Sequence, residues 1–240
     1  MTRAPTDAGL GDNAMSAVVM GSISTVADTS ELQRQAFNSA FREHGLDWQW
    51  DRDDYLALLQ KSGGRNRIAE YADSRGQTVD AAAIHATKSR SFRESLVGSR
   101  LTPRAGVVET LRGARSRGLK VALVTTTSAE NLAALFEAVG PDVRTADFDV
   151  VVDASQADRP KPAEDAYVVA LVRLGLRGRD CVAVEDNVDG VRAAVAAGLA
   201  CVAFPNENTA GQAFELAQRR VDRLDVDELQ QLIAVPELKK

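Results

Sequence analysis

The feature that most constrains the fold of this chain is the regular alternation of short apolar runs with amphipathic patterns after residue 102. Each apolar run is rich in Val, Ala and Leu and has the length of a strand, and the patterns between runs have the spacing of helices. The runs are Lys120–Val124, Phe148–Val152, Cys181–Val184 and Ala200–Phe204. This alternation predicts parallel strands joined by helical crossovers, and the scarcity of polar residues in the runs predicts a sheet covered on both faces. The expected fold class is therefore α/β.

An earlier apolar run, Ala17–Met20, predicts one more strand of the same sheet. The stretch between it and the next run has only helical patterns, so we interpret this stretch as an all-helical domain inserted into the core. Its connections to the core, near residues 28–30 and 98–104, would be the hinges. The predicted parts of the chain are a disordered tail at 1–15, a core at 16–29 and 102–240, and a helical cap at 30–101.

Composition and charge exclude some classes of partner. The chain has 240 residues, of which 45% are hydrophobic, which suits a buried core with a smaller insertion. Its net charge is −5, and Arg and Glu alternate along the helices, so we expect no nucleic-acid partner. No apolar run approaches the roughly 20 residues of a membrane span. We therefore expect a cytoplasmic monomer, in which Cys181 and Cys201 are core residues within strands.

Polar residues follow several of the predicted strands. In a parallel sheet the ligand binds beyond the carboxyl ends of the strands, so these residues are the candidates for chemistry. Thr125 and Thr126 come directly after one strand, where a hydroxyl and the free N–H groups of the following helix can bind an anion. Lys161, in the loop after the next strand, adds a positive charge. Together the three residues predict a phosphate site.

Two acidic residues, Glu185 and Asp186, end the strand at 181–184. Their oxygens are the type of ligand that Mg²⁺ prefers. Alternative interpretations are open for each residue taken alone, since Asp186 and Asn187 are good caps for the next helix and the threonines at 125–127 are good caps as well. Lys161 alone would be interpreted as a solvated lysine. The placement of all of them at successive strand ends favours a site.

The chain resembles the haloacid dehalogenase superfamily, and the resemblance covers Ala17 to Leu232. The motifs that carry it are VALVT at Val121–Thr125, KPAEDAY at Lys161–Tyr167 and VAVEDNVDGVRAAVAAGL at Val182–Leu199. The segments AFNSAFREHGLDWQWDRDDYLALLQKSGGRNRIAEY and VTTTSAENL are similar to the CbbY subgroup, whose members are phosphatases of xylulose-1,5-bisphosphate. The resemblance implies a Rossmann-like core, a helical cap that closes over the site, and Mg²⁺-assisted phosphoryl transfer to an aspartate.

The first motif of that superfamily, which is aspartate, any residue, aspartate, glycine, threonine, is changed here. The first aspartate position is Gly21 and the second is Ile23. Glycine has no side chain to phosphorylate, and isoleucine cannot transfer a proton, so the residues that the mechanism requires as nucleophile and acid–base are absent. The first aspartate is also a metal ligand in the family, so we expect Mg²⁺ to bind weakly, with Asp186 and the supporting Glu185 as the remaining carboxylates.

A basic, glycine-containing segment in the predicted cap resembles the substrate-phosphate segment of the subgroup, because glycine permits close approach and arginine binds phosphate through two N–H groups. Its residues are Lys61, Gly63, Gly64, Arg65 and Arg67. The alternative is a solvated basic turn. We therefore expect a phosphatase homologue that binds a small phosphorylated metabolite but is catalytically impaired. An active Mg²⁺-dependent phosphatase with a relocated catalytic group, and a scaffold that binds another protein, are the alternatives.

Overall fold

The computed structural model describes residues 16–59 and 63–233, and a six-stranded parallel sheet lies at its centre. The predicted tail at 1–15 is outside the described residues. The strands are β1 Ala17–Met20, β2 Lys120–Val124, β3 Val150–Val152, β4 Cys181–Glu185, β5 Ala200–Ala203 and β6 Arg219–Arg220. Their order is β3-β2-β1-β4-β5-β6, which confirms the α/β class and puts β1 between β2 and β4. The carboxyl ends of these three strands therefore meet at one edge.

Helices cover both faces of this sheet, as the apolar runs predict. The described helices are α1 Ile23–Val26, α2 Ser30–Glu43, α3 Arg52–Leu58, α4 Gly64–Ser74, α5 Ala81–Leu96, α6 Val107–Ser116, α7 Ala129–Val139, α8 Asp165–Leu174, α9 Val188–Ala196 and α10 Val226–Ile233. Along β1, Val18 and Met20 pack with α6, α7 and α10, whereas Ala17 and Val19 pack with α8 and α9. Alternate residues of the strand thus enter two different hydrophobic clusters, which explains why all four are apolar.

Three elements differ from the predictions or were not predicted. The segment after β1 turns at once into the single-turn helix α1, which was not predicted. Strand β6 consists of two exposed arginines that pair with β5, and no apolar run marks it in the sequence. Helix α10 was not predicted either. Its buried residues Val226 and Leu229 complete the cluster on the α6 side of the sheet.

The helices of the predicted cap have a hydrophobic cluster of their own. Phe37 and Phe41 of α2 pack against Trp48, Trp50 and Tyr55, with the Phe41 and Trp50 ring centroids 4.6 Å apart. The two tryptophans are buried and pack within this cluster. Helix α5 contributes to this cluster near its start, but near its end it packs with the sheet. The exact boundaries of the cap at residues 30 and 101 stay a prediction.

Arg104 fixes the second connection between the helical insertion and the sheet. Its guanidinium donates to the carbonyl oxygens of Ser24 (3.0 Å), Phe204 (2.8 Å) and Pro205 (2.6 Å). The same group lies 3.4 Å from the centroid of the Phe204 ring. The backbone N–H of Arg104 donates to the Val26 carbonyl oxygen at 2.8 Å. These contacts attach the connection to the turn after β1. Within the described part of the chain, none of the helices combines the length and the hydropathy that a membrane crossing requires.

Candidate functional site

A cavity of about 470 Å³ lies at the carboxyl edge of the sheet, between the strand ends and helices α2, α4 and α5. One side is lined by residues that follow the strands, namely Ser22, Ile23, Ser24, Thr125, Thr126, Thr127, Ser128 and Asp186. The opposite side is lined by Gln33, Phe37, Gly63, Gly64, Arg65, Arg67, His85 and Lys88. Of the residues that the sequence singles out, Thr125, Thr126, Asp186, Gly63, Gly64, Arg65 and Arg67 therefore face one cavity. Lys61 is outside the described residues.

Ser22 closes the end of β1. The backbone N–H of Gly21 donates to Val184 at 2.8 Å, which continues the pairing with β4, and the chain then turns. Ser22 caps α1, with its Oγ accepting from the N–H of Thr25 at 3.2 Å. The Ser22 hydroxyl also donates to Asp186 Oδ1 at 2.8 Å. Ser22 and Asp186 are far apart in the sequence, so no local pattern indicates this contact.

The space that a side chain at position 21 would fill is occupied by Glu185. A Cβ atom built on Gly21 would lie 2.2 Å from Glu185 Cδ and Oε1, and 2.6 Å from the Tyr167 hydroxyl. A Cβ on Gly190 of α9 would lie 2.1 Å from Glu185 Oε2. The carboxyl group is thus enclosed between two glycines, because neither position has an atom that would displace it.

Lys161 pairs with this carboxyl group below the cavity. Its ammonium lies 2.6 Å from Glu185 Oε1, donates to the Val124 carbonyl oxygen at 2.9 Å, and donates also to the Gly21 carbonyl oxygen. Tyr167 donates its hydroxyl to the same Glu185 oxygen at 2.6 Å. Burial raises the pKa of Glu185, and the adjacent ammonium opposes this rise and favours the ionised form.

Two of the predicted site residues, Lys161 and Glu185, are not among the residues that line the cavity. Lys161 is 6% exposed, so it is not a solvated surface lysine, and its predicted contact with phosphate stays a prediction. Glu185 is fully buried and is turned toward Lys161 and Tyr167. Its predicted support of a metal at Asp186 stays a prediction as well.

Asp186 is held by three hydrogen bonds. Its Oδ1 accepts from Ser22 and from the Asn187 side chain at 3.0 Å, and its Oδ2 accepts from Asn206 Nδ2 at 2.8 Å. Asn187, not Asp186, caps α9, since its Oδ1 accepts from Gly190 N at 2.9 Å. Within residues 16–59 and 63–233, no group of three or more His, Cys, Asp and Glu side chains is placed to hold a metal ion. The donor set therefore does not fit the magnesium site that the resemblance implies.

The residues after β2 form a polar turn. Thr125 is buried, and its Oγ1 accepts from Thr127 N at 3.2 Å, while Thr126 is exposed to the cavity. Ser128 caps α7 by accepting from Asn131 N at 3.4 Å. Capping is therefore the role of Ser128, and Thr125 and Thr126 line the cavity. Their predicted contact with phosphate stays a prediction.

The cap side of the cavity carries the positive charge. Lys88 of α5 is 6% exposed, lies 4.9 Å from the Phe37 ring centroid and 5.2 Å from that of Phe92, and donates to Gln33 Oε1. Burial, assisted by the charge of Arg67, lowers the pKa of Lys88 to about 7. His85 is affected in the same way, since burial and the Lys88 charge lower its pKa to about 4.

Arg67 and the two glycines shape the same wall. Arg67 Nε donates to the Leu58 carbonyl oxygen at 2.9 Å, and its guanidinium lies 5.7 Å from the Tyr55 ring centroid. Gly63 has a φ of 97°, which explains a glycine at the start of α4. A Cβ on Gly64 would lie 2.7 Å from His85 Nε2, so this second glycine permits α4 and α5 to approach. Arg65 is exposed at the cavity rim.

Sequence reasoning missed several residues of the site. Ser22, Tyr167, Asn206 and Lys88 were not proposed, although each contacts a predicted site residue or lines the cavity. Tyr167 lies within the quoted KPAEDAY segment, and its spacing of six from Lys161 was an available signal. Lys88 resembles any other lysine of an amphipathic helix, so its burial has no signal in the sequence.

The chain is similar to known proteins in sequence and in structure. The family model of haloacid dehalogenase-like hydrolases matches residues 15–198. The chain belongs to this family. Among its relatives, the plasmid-encoded protein CbbY of Cupriavidus necator is 40% identical over 212 residues, which are 84% of this chain and 82% of that protein. Protein CbbY of Rhodobacter capsulatus is 36% identical over 89% of this chain and 94% of its own length.

Solved structures of this hydrolase family agree with the sequence comparison. CbbY from Rhodobacter sphaeroides in complex with phosphate is 34% identical and has a TM-score of 0.78 to this chain, covering 87% of this chain and 94% of its own. A mutant of the same protein in complex with xylulose-(1,5)bisphosphate has a TM-score of 0.79 with the same identity and coverage. The predicted resemblance to the CbbY subgroup is thereby confirmed, and so is the predicted fold of the haloacid dehalogenase superfamily.

Proposed function

We propose that this CbbY-like member of the hydrolase family binds a small phosphorylated sugar in the cavity between the strand ends and helices α4 and α5, and does not hydrolyse it at an ordinary rate. Arg65, Arg67 and Lys88 supply positive charge on one side of the cavity. Arginine binds phosphate through paired N–H groups, and a buried ammonium next to apolar rings is exposed to little competing solvent. The relatives named CbbY support a phosphatase ancestry.

The observation that carries the proposal of impaired turnover is the occupied space beside Gly21. The resemblance to the haloacid dehalogenase superfamily implies that phosphoryl transfer requires a carboxylate at position 21 and a second one at position 23. Gly21 and Ile23 provide neither, and the Glu185 carboxyl group in the vacated space is buried and bound to Lys161 and Tyr167. A carboxylate held in this way is not directed at a ligand in the cavity. Weak Mg²⁺ binding is part of the same proposal, because Asp186 accepts three hydrogen bonds from the protein.

The proposal is tested by measuring binding and turnover on the same preparation. Calorimetric titration with xylulose 5-phosphate should give saturable heat, and turnover of xylulose 1,5-bisphosphate and p-nitrophenyl phosphate with Mg²⁺ should stay at the level of buffer. Arg65→Ala and Arg67→Ala should each weaken the binding. Arg223→Ala is the matched control, since Arg223 is an exposed arginine on the α6 side that pairs with Glu109. Absence of binding, or binding unaffected by both cavity variants, would contradict the proposal.

A second candidate is an active Mg²⁺-dependent phosphatase with a relocated catalytic group. One contact favours it, since the Ser22 hydroxyl faces the cavity and donates to Asp186 Oδ1 at 2.8 Å. A carboxylate that accepts a hydrogen bond from a hydroxyl is placed to receive its proton during nucleophilic attack. Turnover of a sugar phosphate that is lost in both Ser22→Ala and Asp186→Asn would support this candidate over the first.

A further inference from the structure

The buried lysine below the cavity has no hydrogen-bond donor left for a ligand. A lysine ammonium has three N–H donors. Lys161 directs them to the carbonyl oxygens of Gly21 and Val124 and to the carboxylate of Glu185. Its charge is compensated by that carboxylate at 2.6 Å, and both side chains are at most 5% exposed. The end of the cavity formed by the strands therefore contains a closed ion pair instead of an available cation.

The remaining charges give the cavity two unlike ends. At the strand ends, Lys161 and Glu185 compensate each other, and the Asp186 carboxylate faces the cavity with hydroxyl and amide groups around it. At the opposite wall stand Arg65, Arg67 and Lys88. A phosphate dianion is attracted to the second wall, whereas at the first it meets a carboxylate and neutral hydroxyls.

The Glu185 carboxylate occupies the space that a side chain at position 21 would otherwise fill. Gly21 and Gly190 leave the space, Tyr167 and Lys161 hold the carboxylate in it, and Oε2 has no hydrogen-bond partner among the described residues. A second phosphoryl group at this end would compete with Glu185 for the Lys161 charge. That competition requires breaking a buried, hydrogen-bonded ion pair, which is costly.

We propose that the Glu185 carboxylate makes the cavity selective for singly phosphorylated sugars over bisphosphates. The phosphate of the sugar lies at the wall formed by Arg65, Arg67 and Lys88, and the hydroxyl groups of the sugar lie at the strand ends. This inference rests on the proposed function, because it assumes that a sugar phosphate binds. The polar groups at the strand ends, Ser22, Thr126 and Asn206, are hydrogen-bonding partners suited to sugar hydroxyls.

The test compares xylulose 5-phosphate with xylulose 1,5-bisphosphate by calorimetry in the presence of EDTA. The second phosphate finds no free ammonium at the strand ends and meets the Asp186 carboxylate there, so the bisphosphate is expected to bind several-fold more weakly than the monophosphate. A bisphosphate that binds equally well or more tightly would overturn the inference while leaving the proposed function intact. Absence of heat with both ligands would overturn the proposed function and this inference with it.

Two variants assign the selectivity to the charge of Glu185. Glu185→Gln keeps the shape of the side chain and removes its charge, so the bisphosphate should gain about tenfold in affinity relative to the monophosphate. Tyr167→Phe is the matched control, because it removes the other hydrogen bond to the same oxygen without changing any charge at neutral pH. An unchanged ratio in folded Glu185→Gln, or an equal change in Tyr167→Phe, would contradict the role of the carboxylate. If Glu185→Gln does not fold, the comparison of the two ligands with the wild-type protein decides alone.

Discussion

At the end of β4, a buried carboxylate and a buried ammonium compensate each other, whereas on α5 a buried ammonium lies against two aromatic rings with an amide oxygen as its acceptor. Lys161 and Lys88 are equally exposed, at 6% each. Their surroundings nevertheless differ. The Lys161 charge is compensated by Glu185 at the strand ends, while Lys88 lines the cavity.

Burial alone therefore does not distinguish the lysine that we propose to bind a ligand from the one that does not line the cavity. What matters is whether the protein already supplies the opposite charge. A buried lysine whose charge is compensated stabilises the fold and is costly to disturb. A buried lysine without an opposite charge beside it loses its proton more easily, which is why the pKa of Lys88 is lowered to about 7.

The largest effect is expected for Lys161→Met. Removal of the ammonium leaves the Glu185 carboxylate buried without a compensating charge, which should lower the free energy of unfolding by about 3–5 kcal/mol. Urea denaturation followed by circular dichroism measures the change. In the double variant Lys161→Met with Glu185→Gln the uncompensated charge is gone, so the loss should be clearly smaller. A double variant as unstable as the single one would show that the pair is not the source of the stability.

A smaller loss is expected for Gly21→Ala. The added Cβ would lie 2.2 Å from Glu185 Cδ, so either the glutamate or β1 has to move, and we expect a destabilisation of about 1–3 kcal/mol. Gly211→Ala is the control, because a Cβ there meets no heavy atom of the described residues within 4 Å. Thermal unfolding of the two variants should differ, and equal melting temperatures would argue that Glu185 does not occupy this space.

Lys88 should make the binding of phosphate depend on pH. The protonated lysine attracts the anion, and its pKa of about 7 means that it loses this charge as the pH rises. Affinity for xylulose 5-phosphate should therefore fall several-fold, by up to about tenfold, between pH 6.5 and 8.5, where the phosphate itself stays mainly dianionic. Calorimetry at several pH values measures the profile. In Lys88→Met the affinity should be low and the profile flat.

The same profile would discriminate Lys88 from its neighbours. His85, with a pKa of about 4, stays neutral over this range, and guanidinium groups in proteins keep their charge. A profile in the Lys88→Met protein that still falls with pH would assign the titration to the ligand or to another group. A flat profile in the wild-type protein would argue against a directed Lys88 charge.

The smallest effect is expected for Ser22→Ala. The variant loses the cap of α1 and the hydrogen bond to Asp186, and each such bond contributes about 1 kcal/mol. We expect a destabilisation of about 1–2 kcal/mol in urea denaturation, which Ser22→Thr should largely avoid because it keeps the hydroxyl. Stability unchanged in Ser22→Ala would mean that water replaces the serine at both partners.

Much of the fold and part of the site could be predicted from the sequence. Apolar runs identify five of the six strands because strands buried on both faces need apolar residues throughout. Thr125, Asp186 and Ile23 face one cavity because parallel strands bring their carboxyl ends to the same edge. The short strand β6 escaped prediction since its two exposed arginines have no periodicity that distinguishes them from a loop.

Contacts between distant positions could not be predicted. Ser22 and Asp186 are 164 residues apart, and the direction of each side chain depends on the turn into α1. The burial of Lys88 depends on the packing of α5 against Phe37 and Phe92. Both are consequences of how elements pack, and neither leaves a local pattern in the sequence.

The sequence by itself determined that position 21 has no carboxylate, that position 23 is apolar, and that Lys161, Glu185 and Asp186 are retained. Only the tertiary structure decided what these retained residues do. A missing side chain leaves a volume, and in a close-packed interior a neighbouring group moves into it. Here the Glu185 carboxyl group lies in that space, 2.6 Å from the Lys161 ammonium and next to Gly190, which has no side chain to exclude it.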